Sequence, residues 1–77
     1  MKWQDRISIK PSVCHGKACI AGTRVMVSVI LANLSEGETD EAIMKSYHVT
    51  LEDIRASIAF AADMAEDRFI PLGIEAA

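Results

Sequence analysis

Aromatic side chains are scarce. Two Phe, one Tyr and one Trp make up 5 % of the 77 residues, although 51 % are hydrophobic. The apolar content is therefore mostly Ala, Ile and Val, side chains that fill a small core but also leave greasy surface on a short chain. No apolar run approaches the roughly 18–20 residues that a membrane-spanning helix needs. The opening "MKWQDRISIK" has no hydrophobic region of the signal-peptide kind, so the chain reads as cytoplasmic. Cysteine is limited to Cys14 and Cys19, which in that compartment are expected to remain thiols. Internal repeats and low-complexity stretches are absent.

A chain of this length is one domain and buries only about 60–65 % of its unfolded surface. With so much apolar content it is expected to self-associate or to bind a partner. The net charge of −3 conceals a division. Residues 1–24 carry Lys2, Arg6, Lys10, Lys17 and Arg24 against Asp5, a balance of +4, whereas residues 25–77 carry −7. Any polyanion would meet the N-terminal third.

The reading along the chain is a mainly α domain with a short N-terminal strand pair. Residues 1–26 form a basic strand-and-loop arm, 27–67 a three-helix core and 68–77 an apolar tail. In "RISI", Ile7 and Ile9 share one face and Ser8 the other, which predicts a half-buried strand ended by Pro11. In "RVMV", Val25 and Val27 share a face, so this segment is expected to pair with the first strand. Val27, Ile30, Leu31 and Leu34 then recur at helical spacing. Gly37 suits a left-handed helix end, and Thr39 followed by Asp40 and Glu41 suits the start of a helix over 40–47. Ala42, Ile43 and Tyr47 are its inward positions. Thr50 and Asp53 have capping-box spacing, with Asp in place of the usual Glu or Gln, ahead of a helix over 51–67. Leu51, Ile54, Ile58, Ala61, Ala62 and Ala65 are expected to form its buried face. Phe60 and Met64 make an (i, i+4) pair roughly 90–120° away, covered either by the returning tail or by a partner.

Chemistry is concentrated in "VCHGKACIAGTRV", residues 13–25. Cys14, His15 and Cys19 supply three candidate metal ligands at Cys-x4-Cys spacing, and His48 is remote in sequence, so the set falls short of a structural zinc site. A Cys-x-x-Cys redox pair is missing, and Gly16-Lys17 and Gly22-Thr23 fit neither phosphate-loop pattern. No nucleophile–base pair and no inward carboxylate pair stand out. The chain is not read as an enzyme, and no cofactor is expected.

The helices over 40–47 and 51–67, joined by a short turn, resemble a helix-turn-helix. Its second helix starts with Glu52, Asp53 and Arg55, taken as exposed, and two carboxylates facing a polyanion repel it. The basic arm is the better nucleic-acid surface, through paired strands.

The run "GKACIAGTR" followed in order by "HVTLEDIRASIAFAAD" is similar to the small bacterial and archaeal domain-of-unknown-function family 433 (DUF433). Over about residues 6–63, Gly16, Lys17, Cys19, Gly22, Thr23 and Arg24 match that family's pattern. Ala18 and Met26 stand where it has proline, and Ala21 stands where a basic residue is common. The resemblance implies a homeodomain-like helical domain and a role as antitoxin, related to VapB-type antitoxins, paired with a PIN-like nuclease toxin encoded nearby. It also implies operator binding as a dimer.

Arg6, Lys17, Thr23 and Arg24 are the expected nucleic-acid contacts. Phe60, Met64, Phe69, Ile70 and Leu72 are the expected partner contacts, the last three as a plug for a toxin pocket. The acidic remainder of the chain suits a basic RNA-binding groove. A stand-alone DNA-binding regulator and a structural interaction module are the competing readings. A homodimer is expected on the strength of chain length and the Phe60/Met64 patch.

Overall fold

Five Ile and two Val side chains nearly complete the core on their own. Ile7, Ile20, Val27, Ile30, Ile43, Val49 and Ile54 pack with Ala56, and Trp3, Leu34, Tyr47 and Phe60 lie against the cluster. The computed structural model describes residues 2–67. Along them run a 3-10 turn over Trp3–Asp5, strand β1 (Ile7–Ser8), a tight turn over Cys14–Gly16, strand β2 (Cys19–Ile20) and helices α1 (Val27–Ser35), α2 (Asp40–Tyr47) and α3 (Leu51–Asp67).

Three helix boundaries have a clear local cause. At the end of α1, the Gly37 N–H donates to the Leu34 carbonyl (3.0 Å) and the Glu38 N–H to that of Asn33 (3.1 Å). Gly37 itself sits at φ +90°. This is the Schellman pattern, in which a left-handed glycine satisfies two orphan carbonyls. At the start of α2, the Ala42 N–H donates to Thr39 Oγ1 (3.1 Å). At α3 the capping box is reciprocal. The Asp53 N–H donates to Thr50 Oγ1 (3.1 Å) and the Thr50 N–H to Asp53 Oδ2 (3.0 Å). The shorter Asp side chain therefore completes the motif as Glu or Gln does elsewhere. Asn33 Nδ2 donates to Tyr47 Oη (3.1 Å), tying α1 to α2.

The strands depart from expectation. β1 pairs antiparallel with β2, Ile7 opposite Ile20 and Ser8 opposite Cys19, not with "RVMV". That segment folds back onto β2 instead. The Ile20 N–H donates to the Val25 carbonyl (2.9 Å), Cys19 bridges to Met26, and Val27 already belongs to α1. A tight turn at Thr23 reverses the chain immediately after β2, so sequence neighbours pair first. Ile9 is 55 % exposed, since β1 ends at Ser8 and a turn closed by the Val13 N–H on the Lys10 carbonyl (2.9 Å) carries the chain away.

The buried face of α3 is also not the expected one. Asp53, Ile54, Ala56 and Ser57 are buried, whereas Ile58 is 48 % exposed and Ala62 and Ala65 face solvent. At 3.6 residues per turn the buried face is rotated by roughly 100° from the one richest in apolar residues. Two polar residues cause the rotation by entering the core with their partners supplied. The Ser57 hydroxyl donates to the Asp53 carbonyl one turn back (2.9 Å). Asp53 spends one carboxylate oxygen on the cap and the other on Arg6 Nη1 (3.1 Å). The small Ala56 and Ser57 let α3 lie close to its neighbours. Asp53 is thus a buried clasp and not the exposed carboxylate expected at the start of this helix.

Candidate functional site

The arm is built around a left-handed turn. Cys14, His15 and Gly16 have φ of 49°, 56° and 79°, a conformation that costs an ordinary L-residue roughly 1–2 kcal/mol. The turn is closed by the Gly16 N–H on the Val13 carbonyl and the Lys17 N–H on that of Cys14, both 3.1 Å. Cys19 is fully buried, and its thiol donates to the Lys17 carbonyl (3.5 Å). Burial pushes the Cys19 thiol above its ordinary pKa, and the neighbouring Cys14 thiol pushes the same way while Arg24 pulls it down slightly. A thiol held neutral in this way is a poor nucleophile and a poor metal ligand. Among the described residues no group of three or more His, Cys, Asp or Glu side chains gathers around a common point.

Beside this turn lies an open groove of about 330 Å³, lined by Ser8, Lys10, Val13, Gly22, Thr23 and Arg24. Gly22 sits at φ +78° in open space, so backbone conformation alone selects glycine there. The Thr23 hydroxyl donates to the Ile20 carbonyl (2.8 Å) and accepts from the Val25 N–H (3.0 Å). Both of its roles go into the turn that presents Arg24, so Thr23 shapes the groove rather than offering its hydroxyl to a ligand. Lys10 and Arg24 supply two cations, and among the described residues no carboxylate lines the groove. Ser8 stands beside them, and the two cations give the groove the charge that suits an anion.

The expected nucleic-acid residues are thereby divided. Arg24 and Thr23 share this groove. Arg6 does not join them, because its guanidinium pairs with Asp53 at 3.1 Å. Lys17 lies on a second, apolar groove of about 310 Å³ with Ala18, Val27, Ser28, Leu31 and Phe60. Lys10, absent from the expected contacts, takes their place. The basic tally of residues 1–24 contained the signal, but spacing alone could not choose between Lys10 and Lys17.

The expected partner residues are divided too. Phe60 meets Trp3 edge to face, ring centroids 5.0 Å apart and planes at 86°, and the Trp3 indole N–H donates to Asp63. The chain's own N-terminus, neither of the two occupants expected, covers part of Phe60. Met64 is 36 % exposed. Phe69, Ile70 and Leu72 lie outside the described residues.

The family model for DUF433, described as a protein of unknown function, matches residues 7–61. This chain belongs to the DUF433 family. A solved structure, a DUF433 member protein from Anabaena variabilis, is 33 % identical with a TM-score of 0.75 and covers 82 % of this chain. The chain spans 63 % of that structure's own length. Comparison with curated proteins finds no match. The DUF433 match takes in the left-handed turn, Lys10, Gly22–Arg24 and Asp53, while Arg6, the partner of Asp53, lies one residue before it. No helix among the described residues is long and apolar enough to cross a membrane.

Proposed function

We propose that this DUF433 chain is a non-catalytic binding module, the antitoxin-like half of a type II toxin–antitoxin pair. It neutralises a PIN-like nuclease encoded nearby by direct contact and binds its own operator as a dimer, in the cytoplasm. The observation that carries this reading is the separation of charge on one small scaffold. Among the described residues the Lys10–Arg24 groove has cations and no carboxylate, while the helical part exposes Glu36, Glu38, Asp40, Glu41, Glu52 and Glu66. The first surface suits phosphates and the second suits the basic RNA-binding groove of a nuclease. The deciding experiment is co-expression with the product of the adjacent reading frame. Co-purification with suppressed ribonuclease activity is expected; two separately eluting proteins would overturn the antitoxin assignment.

The groove by itself also fits a stand-alone DNA-binding regulator. At the first turn of α3, Asp53 faces inward and leaves Glu52 and Arg55 toward solvent, so this helix is not a strongly anionic obstacle, yet it adds little attraction. A mobility shift on the chain's own promoter that persists without any co-purifying nuclease would favour this alternative.

A further inference from the structure

The buried rotation of α3 leaves a stripe behind. Leu51, Ile58, Ala62 and Ala65 follow one another along the helix at i, i+7, i+11 and i+14, a single face at 3.6 residues per turn. Ile58 is 48 % exposed, Ala62 and Ala65 are exposed, and Leu51 is half-buried. Along one flank of this stripe stand two exposed charges of opposite sign, Arg55 and Glu66.

We propose that this stripe is the interface between two copies of the chain, with the two α3 helices packed antiparallel. The charges determine both the occupant and the direction. A two-fold axis passing between Phe60 and Ala61 brings Arg55 of one copy level with the partner's Glu66, on the same flank, and the symmetry makes the contact twice. Parallel pairing would carry the partner's two charges to the opposite flank, and neither Arg55–Glu66 contact would form. In the antiparallel register Ile58 enters the space between the partner's Ala62 and Ala65, whose small side chains let the helices approach closely. The surface is thus self-complementary in shape and in charge. It differs from the Phe60/Met64 patch, where Trp3 already occupies part of the area. The pairing is a property of the isolated chain, so it stands or falls separately from nuclease capture, though it supplies the dimer that operator binding requires.

Sedimentation of the full chain across low and high micromolar concentrations tests the pairing. A concentration-dependent dimer is expected, and Ile58→Asp should be monomeric with unchanged helical ellipticity. Arg55→Glu and Glu66→Arg should each weaken the dimer about tenfold, since each breaks both symmetric contacts; the double variant R55E/E66R should recover most of the loss. A monomer at every concentration, an Ile58→Asp dimer as tight as the parent, or a double variant no tighter than the singles would overturn the interface. So would a full-length monomer that dimerises once residues 68–77 are removed, because the chain's own C-terminal segment would then be the occupant. An Ile58→Asp protein that still dimerises but no longer retains a PIN-like nuclease would assign the stripe to that partner.

Discussion

The arm and the helical core are held by different kinds of force. In residues 27–67 the elements are regular, the end of α1 and the starts of α2 and α3 carry a glycine or side-chain cap, and buried Ile and Val side chains supply the cohesion. In residues 2–26 the strands are two residues long, and three consecutive backbones are left-handed. There the shape rests on turn hydrogen bonds, on Ile7 and Ile20 anchored in the core, and on two side-chain attachments to α3, Arg6 to Asp53 and Trp3 to Phe60 and Asp63. The helices set their own limits locally, whereas the arm keeps its groove through the two isoleucines it lends to the core and its mooring to α3. A domain this small can thus carry a shaped, polar binding surface without enlarging its core.

That contrast is open to direct attack. The largest effect is expected in the core. Ile30→Ala, at a side chain with no exposure, should lose about 3–4 kcal/mol in denaturant unfolding and should lower the stability of arm and helices together. Next comes the mooring. Asp53→Ala removes a helix cap and leaves Arg6 without its partner, at an expected cost of about 2 kcal/mol. Arg6→Ala should add little on top of it in a double-mutant cycle, and full additivity would show that the two residues do not act as a unit.

A smaller loss, about 1 kcal/mol, is expected for Gly37→Ala, where φ is +90°. Alkaline titration isolates the arm more gently. The pKa of Cys19 is raised by burial from an ordinary value of 9.0, so the folded state holds its proton more tightly than the unfolded state. The corresponding stability is fully present below that ordinary value and is lost as pH rises through the folded one. Cys19→Ala should remove this alkaline decline, measured by urea unfolding along a pH series. Least of all for stability, Lys10→Ala and Arg24→Ala should stay within about 0.5 kcal/mol of the parent. Each should nonetheless weaken retention on a DNA fragment and flatten its dependence on salt. Unchanged retention in both would remove the groove from the functional reading.

The helices were legible in the sequence because periodicity and caps act locally. The bounds 40–47 and 51–67 coincide with those observed, and Gly37, Thr39 and the Thr50–Asp53 pair behave as their spacing indicates. The face of α3 was not legible, because counting apolar residues assigns Asp53 and Ser57 to solvent. Their burial depends on partners, Arg6 forty-seven positions away and a carbonyl on the preceding turn. Strand pairing failed for the same kind of reason, since two-residue strands have no alternation to read and a turn decides who meets whom. Of the candidate site, Arg24 with the Gly22–Thr23 turn was visible as a motif. The choice of Lys10 over Lys17 and Arg6 depends on which way the arm folds, and composition does not encode that.

The edge-to-face contact of Trp3 with Phe60 has a practical corollary. The chain's only tryptophan sits on the seam between the arm and α3, with its indole N–H on Asp63. Its fluorescence therefore reports whether the arm is seated, while far-ultraviolet ellipticity reports whether the helices exist. Two optical signals from the unlabelled protein can be followed in one melt. If they part company, the arm lifts away before the bundle melts, and the groove it carries is a detachable fitting rather than a fixed part of the fold.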